Sequence, residues 1–258
     1  MKMRESRVLR KLRAGEIVSC LNVHFDAQAT EIASRAGVDC MWIDNEHLSQ
    51  DYTSLRAHVW AAKSYDTDVM IRVPRGSYSD YIKPLELDAA GILVPHIMGL
   101  EDARRVVQMT RFHPIGRRPL DGGNADGAYA SMELPDYIKQ ANEQRFVMIQ
   151  IEDPEPLDEL DEIAALDGID MLFFGPGDFS HAIGAPGDWN HPKLLEARKR
   201  VAEVAIKHGK FAATPCSLDN VDEYVDMGYK FLALGSDVVS FGNFARNTLK
   251  EFSKKIRV

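Results

Sequence analysis

Cysteine is scarce in this chain. Its 258 residues hold only Cys20, Cys40 and Cys216, an odd number at wide separations. Cys20 and Cys40 fall in apolar, strand-like runs, so the reading is buried reduced thiols in a cytoplasmic protein. Long apolar runs are missing too. None approaches the ~20 residues of a bilayer span. The basic start "MKMRESRVLRKLRAGE" has no apolar centre of the kind a signal peptide needs. It reads as a short amphipathic leading helix with Val8, Leu9 and Leu12 on one side. No basic block offsets the net charge of −8, which argues against nucleic acid or membrane lipid as a main partner. There is no Gly-x-Gly-x-x-Gly after the first apolar run and no P-loop, so an open, dinucleotide-binding sheet lacks its fingerprint. No low-complexity segment or linker interrupts residues 1–258, which are expected to form a single domain.

What the chain does have is a rhythm. Forty-five per cent of it is hydrophobic, ordinary for a soluble protein able to bury a large core. Eight short apolar runs alternate with longer amphipathic ones. The runs are Ile17–Val23, Cys40–Asp44, Val69–Val73, Gly91–Pro95, Phe146–Glu152, Met171–Gly175, Phe211–Thr214 and Phe231–Gly235. Near-continuous apolar strands suit a parallel sheet covered on both faces. Helical patterns between them end on Gly37, Gly209 and Gly228, good positions for a left-handed cap. "GVDCMWID", "GIDMLFFG" and "GYKFLALG" repeat one grammar: a helix-ending glycine, a polar step, an apolar strand. Eight such units predict an α/β protein with a closed (β/α)8 TIM barrel. One insertion breaks the rhythm, "RFHPIGRRPLDGGNADGAYA" (Arg111–Ala130), and its length predicts a lid or binding loop.

In barrels of this class chemistry sits where strands give way to loops. The second run ends in Asp44, Glu46 and His47, and the third carries Arg72. The fourth ends at His96, the fifth carries Gln150 and Glu152, and the sixth leads into Asp178. Gln150 and Glu152 lie two apart, hence on the same side of a strand. A buried carboxylate is costly, and a second one nearby makes it worse unless a cation lies between them. Glu152 and Asp178 are therefore either divalent-metal ligands or a pair of exposed or Arg-paired acids. His47, flanked by Asp44 and Glu46, is either a surface histidine or a general base oriented by an acid. His24, His96 and His181 lack such flanks and rank lower, and His58 reads as a surface residue of a helix. Arg72 cannot shed its charge in an apolar strand. It either pairs with Asp44 or Glu152, or clamps a carboxylate or enolate. None of the eight runs contains Lys, which argues against Schiff-base chemistry.

"WIDNEH", "IRVP", "GILVPHI", "QIED" and "GPGDFS", in this order and spacing, resemble the HpcH/HpaI aldolase family, class II metal-dependent pyruvate aldolases. The resemblance runs from about Leu21 to Asp237. It implies a barrel assembled as a homo-oligomer, a hexamer of trimer pairs, with the C-terminal helix packed on a neighbour. It implies cleavage of a 4-hydroxy-2-oxo acid or 2-keto-3-deoxy sugar acid to pyruvate and an aldehyde. Glu152 and Asp178 then match the ligands of a divalent ion, Mg2+ or Mn2+ foremost, with Co2+ or Zn2+ as alternatives. His47 matches the catalytic base and Asp44 the acid supporting it. Arg72 matches the residue that binds the keto acid and stabilises its enolate, and Gln150 a pyruvate contact. The backbone at Gly175, Pro176 and Gly177 matches the carboxylate site.

Two positions depart from the pattern. Arg118 is followed by Pro119 where the family has Gly, and Glu86 stands where an Asp that reaches a neighbour's site is common. Both fall on the aldehyde side of the substrate, whose identity stays open. The alternatives are a citrate-lyase-β-like CoA-ester lyase, which would need a basic groove for CoA phosphates, and a non-catalytic keto-acid-binding or metal-binding barrel.

Overall fold

A computed structural model describes residues 2–256. Eight parallel strands close on themselves in sequence order, β1 pairing with both β2 and β8. They are β1 (Val18–Val23), β2 (Cys40–Asp44), β3 (Asp68–Arg72), β4 (Gly91–Val94), β5 (Phe146–Ile151), β6 (Met171–Phe174), β7 (Phe211–Pro215) and β8 (Tyr229–Ser236). The helices are α1 (Arg7–Arg13), α2 (Ala27–Arg35), α3 (Tyr52–Lys63), α4 (Tyr78–Glu86), α5 (Leu100–Thr110), α6 (Leu134–Gln144), α7 (Leu160–Ala164), α8 (Pro176–Ala182), α9 (Pro192–Lys207), α10 (Val221–Asp226) and α11 (Asp237–Ile256). This is the expected (β/α)8 barrel.

Two cores follow from the two-residue period of a strand. Met41, Ile43, Ile71, Ile149 and Phe174 face the helices in the outer core. Cys40, Trp42, Met70, Phe146, Met148, Met171 and Phe173 fill the barrel itself. Val8, Leu9 and Leu12 of α1 belong to that inner cluster and close the mouth where the strands begin. The helix is held there by Asp68, which accepts hydrogen bonds from the Ser6 hydroxyl at 2.6 Å and the Val8 N–H at 2.9 Å. Continuing each inward series two residues further reaches Asp44 on β2, Arg72 on β3, Gln150 and then Glu152 on β5, and Gly175 after β6. The strands' own pleat therefore aims these residues into the opposite mouth.

The structure corrects three sequence expectations. The Arg111–Ala130 insertion is no lid over that mouth. It follows α5, a helix returning from the end of β4, so it emerges where strands begin. There Arg145, just before β5, binds Asp126 of the insertion at 2.7 Å and Asp88, just before β4, at 2.5 Å. His58 is fully buried rather than on the surface, with its Nδ1 2.7 Å from the Thr30 hydroxyl; burial holds its pKa below the usual value. Strand β8 starts earlier than expected and includes Lys230. Its ammonium reaches the Gly15 carbonyl at the strand-start end, so it offers no Schiff-base lysine at the other mouth.

Candidate metal and keto-acid site

Asp44 and Arg72 face each other across the β2–β3 register. Both are buried. The guanidinium donates through Nε to Asp44 Oδ1 at 3.1 Å and through Nη2 to Oδ2. This two-point geometry is what arginine offers and lysine lacks. Burial pushes the Asp44 pKa up, but Arg72 and the Glu46 and His47 amides outweigh it and hold the carboxyl below its ordinary value. Arg72 also lies 5.0 Å over the Trp42 ring and 3.2 Å from Glu46. Of the alternatives the sequence left for Arg72, the structure shows the ion pair, made with Asp44 rather than Glu152.

His47 stands next to this pair, with 61% of its side chain exposed. Asp44 does not touch its ring. Asp44 Oδ1 accepts the His47 backbone N–H at 3.4 Å and the Glu46 N–H at 2.9 Å, shaping the turn that presents the ring. The carboxylate beside the imidazole is Glu46, 3.5 Å from Nε2. Glu46 is thus the acid nearest the ring, while the Asp44 carboxylate is turned toward Arg72 in the barrel.

Glu152 has no solvent exposure. Its Oε1 accepts the His96 N–H at 2.8 Å and its Oε2 accepts from the Gln150 amide. Burial raises its pKa to about 7, the nearby charges of Asp178 and Glu46 add to the rise, and His96 partly offsets it. One ring nitrogen of His96 and one carboxylate oxygen each from Glu152 and Asp178 lie within 4.8 Å of one another. The Gln150 Oε1 is buried with no hydrogen-bond partner among the described residues. A buried carboxylate beside two other acids, with open donors around it, fits a divalent cation in chemistry and charge. Asp178 sits in the first turn of α8, directly after β6.

Gly175 explains how these groups fit. A Cβ there would lie 2.8 Å from the Gln150 amide nitrogen and 2.8 Å from the Glu152 Cβ. Gly175→Ala is expected to push Glu152 out of place and weaken divalent-ion affinity at least about tenfold. Its unfolding midpoint should shift far less, and calorimetric titration with Mn2+ beside thermal melts checks both.

Two residues of this cluster were ranked low or given no role in the sequence, His96 and Glu46. The acid that orients His96 is Asp153, 2.8 Å from Nδ1 but 57 positions away, so no flanking pattern reveals it. Glu46 stands in the sequence as one of two acids flanking His47, with nothing to tell it from Asp44. Arg118 and Glu86 lie outside the cluster. Arg118 is buried at the strand-start end, bound to Asp126 at 2.9 Å and to the Tyr137 hydroxyl at 3.2 Å. Its charge is consumed by that buried network, which corrects its expected place beside the substrate in its own chain. Glu86 lines a groove of about 480 Å3 with Tyr52, Arg56, Trp60, Lys83 and Tyr129 that contains none of the strand-end residues.

The family model for HpcH/HpaI aldolase/citrate lyase matches residues 23–243. The chain belongs to this family. It is 34% identical over 246 residues to a hydroxypyruvate/pyruvate aldolase of Roseovarius nubinhibens, covering 93% of this chain and 94% of that one. It is 30% identical over 245 residues to a 5-keto-4-deoxy-D-glucarate aldolase of an Enterobacter species, covering 94% and 95%. The solved structure of an HpcH/HpaI aldolase/citrate lyase family protein from Burkholderia cenocepacia superposes with a TM-score of 0.89 at 27% identity, covering 96% of this chain and 99% of that one. All five motifs lie within the matched span.

Proposed function

We propose that this chain is a divalent-metal-dependent class II aldolase, a carbon–carbon lyase that releases pyruvate and an aldehyde from a 4-hydroxy-2-oxo acid or 2-keto-3-deoxy sugar acid. The observation that carries the proposal is Glu152, a fully buried carboxylate set beside Asp178 with Arg72 of the same mouth above its ordinary pKa and permanently charged. The two relatives named above are aldolases, which favours this reading over a CoA-ester lyase. Glu152 and Asp178 would hold the ion, which when bound supplies Lewis acidity to the 2-oxo acid.

The chain's own groups supply the rest. Of the backbone at Gly175, Pro176 and Gly177, the Gly175 N–H already donates to the Ile151 carbonyl at 3.0 Å and Pro176 has no N–H to give, so the Gly177 amide at the start of α8 is the one left to meet the substrate carboxylate. Gln150 contacts the keto acid. Arg72, held flat by Asp44, faces the oxygen where negative charge develops as the C3–C4 bond breaks. His47 takes the proton from the 4-hydroxyl, the C3–C4 electron pair moves into the enolate, and the aldehyde leaves. Asp44 supports this base through the turn and through Arg72. Arg118 receives no substrate role in its own chain, and Glu86 would act only on a neighbouring copy.

The test needs no knowledge of the aldehyde. Pyruvate incubated with the protein in heavy water should exchange its methyl protons in the presence of Mn2+ or Mg2+ and not with EDTA, as read by NMR. Metal-independent exchange, or none with either ion, sinks the aldolase reading. With the same assay extended to retro-aldol turnover of a 4-hydroxy-2-oxo acid, His47→Ala should lose about 10²–10⁴-fold in rate and keep its metal affinity. Unchanged turnover would remove His47 as the base.

The proposal extends to a homo-oligomer. No residue of α11 is buried, and Phe241, Phe244, Leu249, Phe252 and Ile256 are exposed on it. An apolar stripe of this kind on a 20-residue helix suits burial against a second copy. Phe244→Glu with Phe252→Glu should yield a smaller species by light scattering; an unchanged mass would remove α11 from the interface. Among the described residues no helix is long and apolar enough to cross a membrane. All three cysteines are free, and we place the protein in the cytoplasm on that ground.

A further inference from the structure

We propose that His96 is a third protein ligand of the ion held by Glu152 and Asp178, and that it biases the site toward nitrogen-accepting ions such as Co2+ or Zn2+ over Mg2+. The inference rests on the reading that an ion occupies the Glu152–Asp178 pair. Three features single out this imidazole. Its ring nitrogen is within 4.8 Å of both carboxylates, the span of one small cation's ligand shell. Its backbone N–H donates to Glu152 Oε1 at 2.8 Å, so the residue is fixed to the carboxylate it would share the ion with. Its ring is held by a further carboxylate, Asp153 Oδ2 at 2.8 Å from Nδ1.

A carboxylate on one ring nitrogen is the partner which ligating imidazoles nearly always have, because it fixes the ring and strengthens the other nitrogen as a donor. With Nδ1 held by Asp153, the nitrogen left for the ion is Nε2, which lies 3.9 Å from Glu46 Oε1. The backbone at His96 supports the placement. It takes a left-handed conformation, φ +49°, one that costs a non-glycine residue energy and persists where the surroundings demand it. Here the surroundings are the two bonds to Glu152 and Asp153, both at the end of β5.

The chemical consequence concerns which ion is kept. An all-oxygen set of two carboxylates and waters suits Mg2+ and Mn2+. One imidazole added to it raises affinity for Co2+, Ni2+ and Zn2+ far more than for Mg2+, which dehydrates reluctantly and prefers oxygen. His96 would thus set ion choice without itself touching the proton that moves in the cleavage.

The experiment uses the full-length protein, stripped with chelator and reloaded. With Mn2+ bound, electron spin-echo modulation should show a directly coordinated imidazole nitrogen, and His96→Gln should bind Mn2+ without that signal. Calorimetric titration should show His96→Gln losing about 10–100-fold in Co2+ affinity and less than about threefold in Mg2+ affinity. Absence of the nitrogen signal in the parent protein, its persistence in His96→Gln, or equal losses for both ions would overturn the assignment. The parent spectrum alone decides the matter if the variant does not fold. Failure of the underlying reading looks different: the parent binds no Mn2+, or Glu152→Gln binds it as well as the parent does.

Discussion

Glu152→Gln is expected to lose divalent-ion binding and about 10³-fold in metal-dependent pyruvate exchange, and yet to be more stable than the parent when both are metal-free above pH 7. The two halves of this result share one cause. Burial, with Asp178 and Glu46 adding their charges, raises the Glu152 pKa from 4.5 to about 7. An acid whose folded pKa exceeds its unfolded value binds its proton more tightly in the folded state. Its contribution to stability is therefore complete below pH 4.5 and is lost as pH rises through about 7. The rise corresponds to about 3 kcal/mol at most. Glutamine carries no such charge, so the metal-free variant should match the parent near pH 4.5 and exceed it at pH 8. A saturating ion reverses the order, since it stabilises only the protein that binds it. Melts at both pH values, with EDTA and with Mn2+, read all four states. No gain at pH 8 without metal would mean that Glu152 does not carry a raised pKa, and equal stabilisation of both proteins by Mn2+ would remove Glu152 from the ion site. Such a stability cost at a functional carboxylate is common where a site waits for its ligand.

Arg72→Ala is expected to fail in both stability and rate. Its guanidinium neutralises Asp44 and faces Glu46 and Glu152. Removing one partner of a buried pair leaves the other charge uncompensated, at a cost of about 3–5 kcal/mol. Losing a donor aimed at developing negative charge costs about 10²–10³-fold in rate. Arg72→Lys should recover part of the stability and little of the rate, because a single ammonium cannot bond both Asp44 oxygens and still face the substrate. Arg72→Met combined with Asp44→Asn separates the two roles. That pair removes both charges, so its denaturant midpoint should return toward the parent while exchange stays lost. Recovery of exchange in the double variant would mean that Arg72 is a structural ion-pair partner only.

Much of this was written in the order of residues. Runs such as "CMWID" and "FVMIQIE" carry the two-residue period, and that period places Asp44, Gln150 and Glu152 on the inward series at the strand ends. The eightfold alternation of such runs with amphipathic segments specifies a closed parallel barrel, because each strand must be covered on both faces. Glycine at 175 and arginine at 72 are likewise local facts whose meaning follows once the barrel is assumed.

What the sequence could not supply are relations between strands. The Asp153–His96 contact joins the ends of β5 and β4. The choice of Glu46 over Asp44 as the acid beside the His47 ring depends on which way each side chain leaves the turn. Arg118 was placed beside the substrate by the resemblance alone, and the fold gives it Asp126 and Tyr137 as partners. His58 looked exposed because its helix shows no partner for it, and Thr30 of a neighbouring helix provides one. Sequence by itself determined the barrel, its inward ladder and the acids at its mouth, since these follow from local periodicity. Only the tertiary structure decided which charges neutralise one another and which are left for an ion and a substrate, since that depends on distances across strands the chain brings together only when it folds.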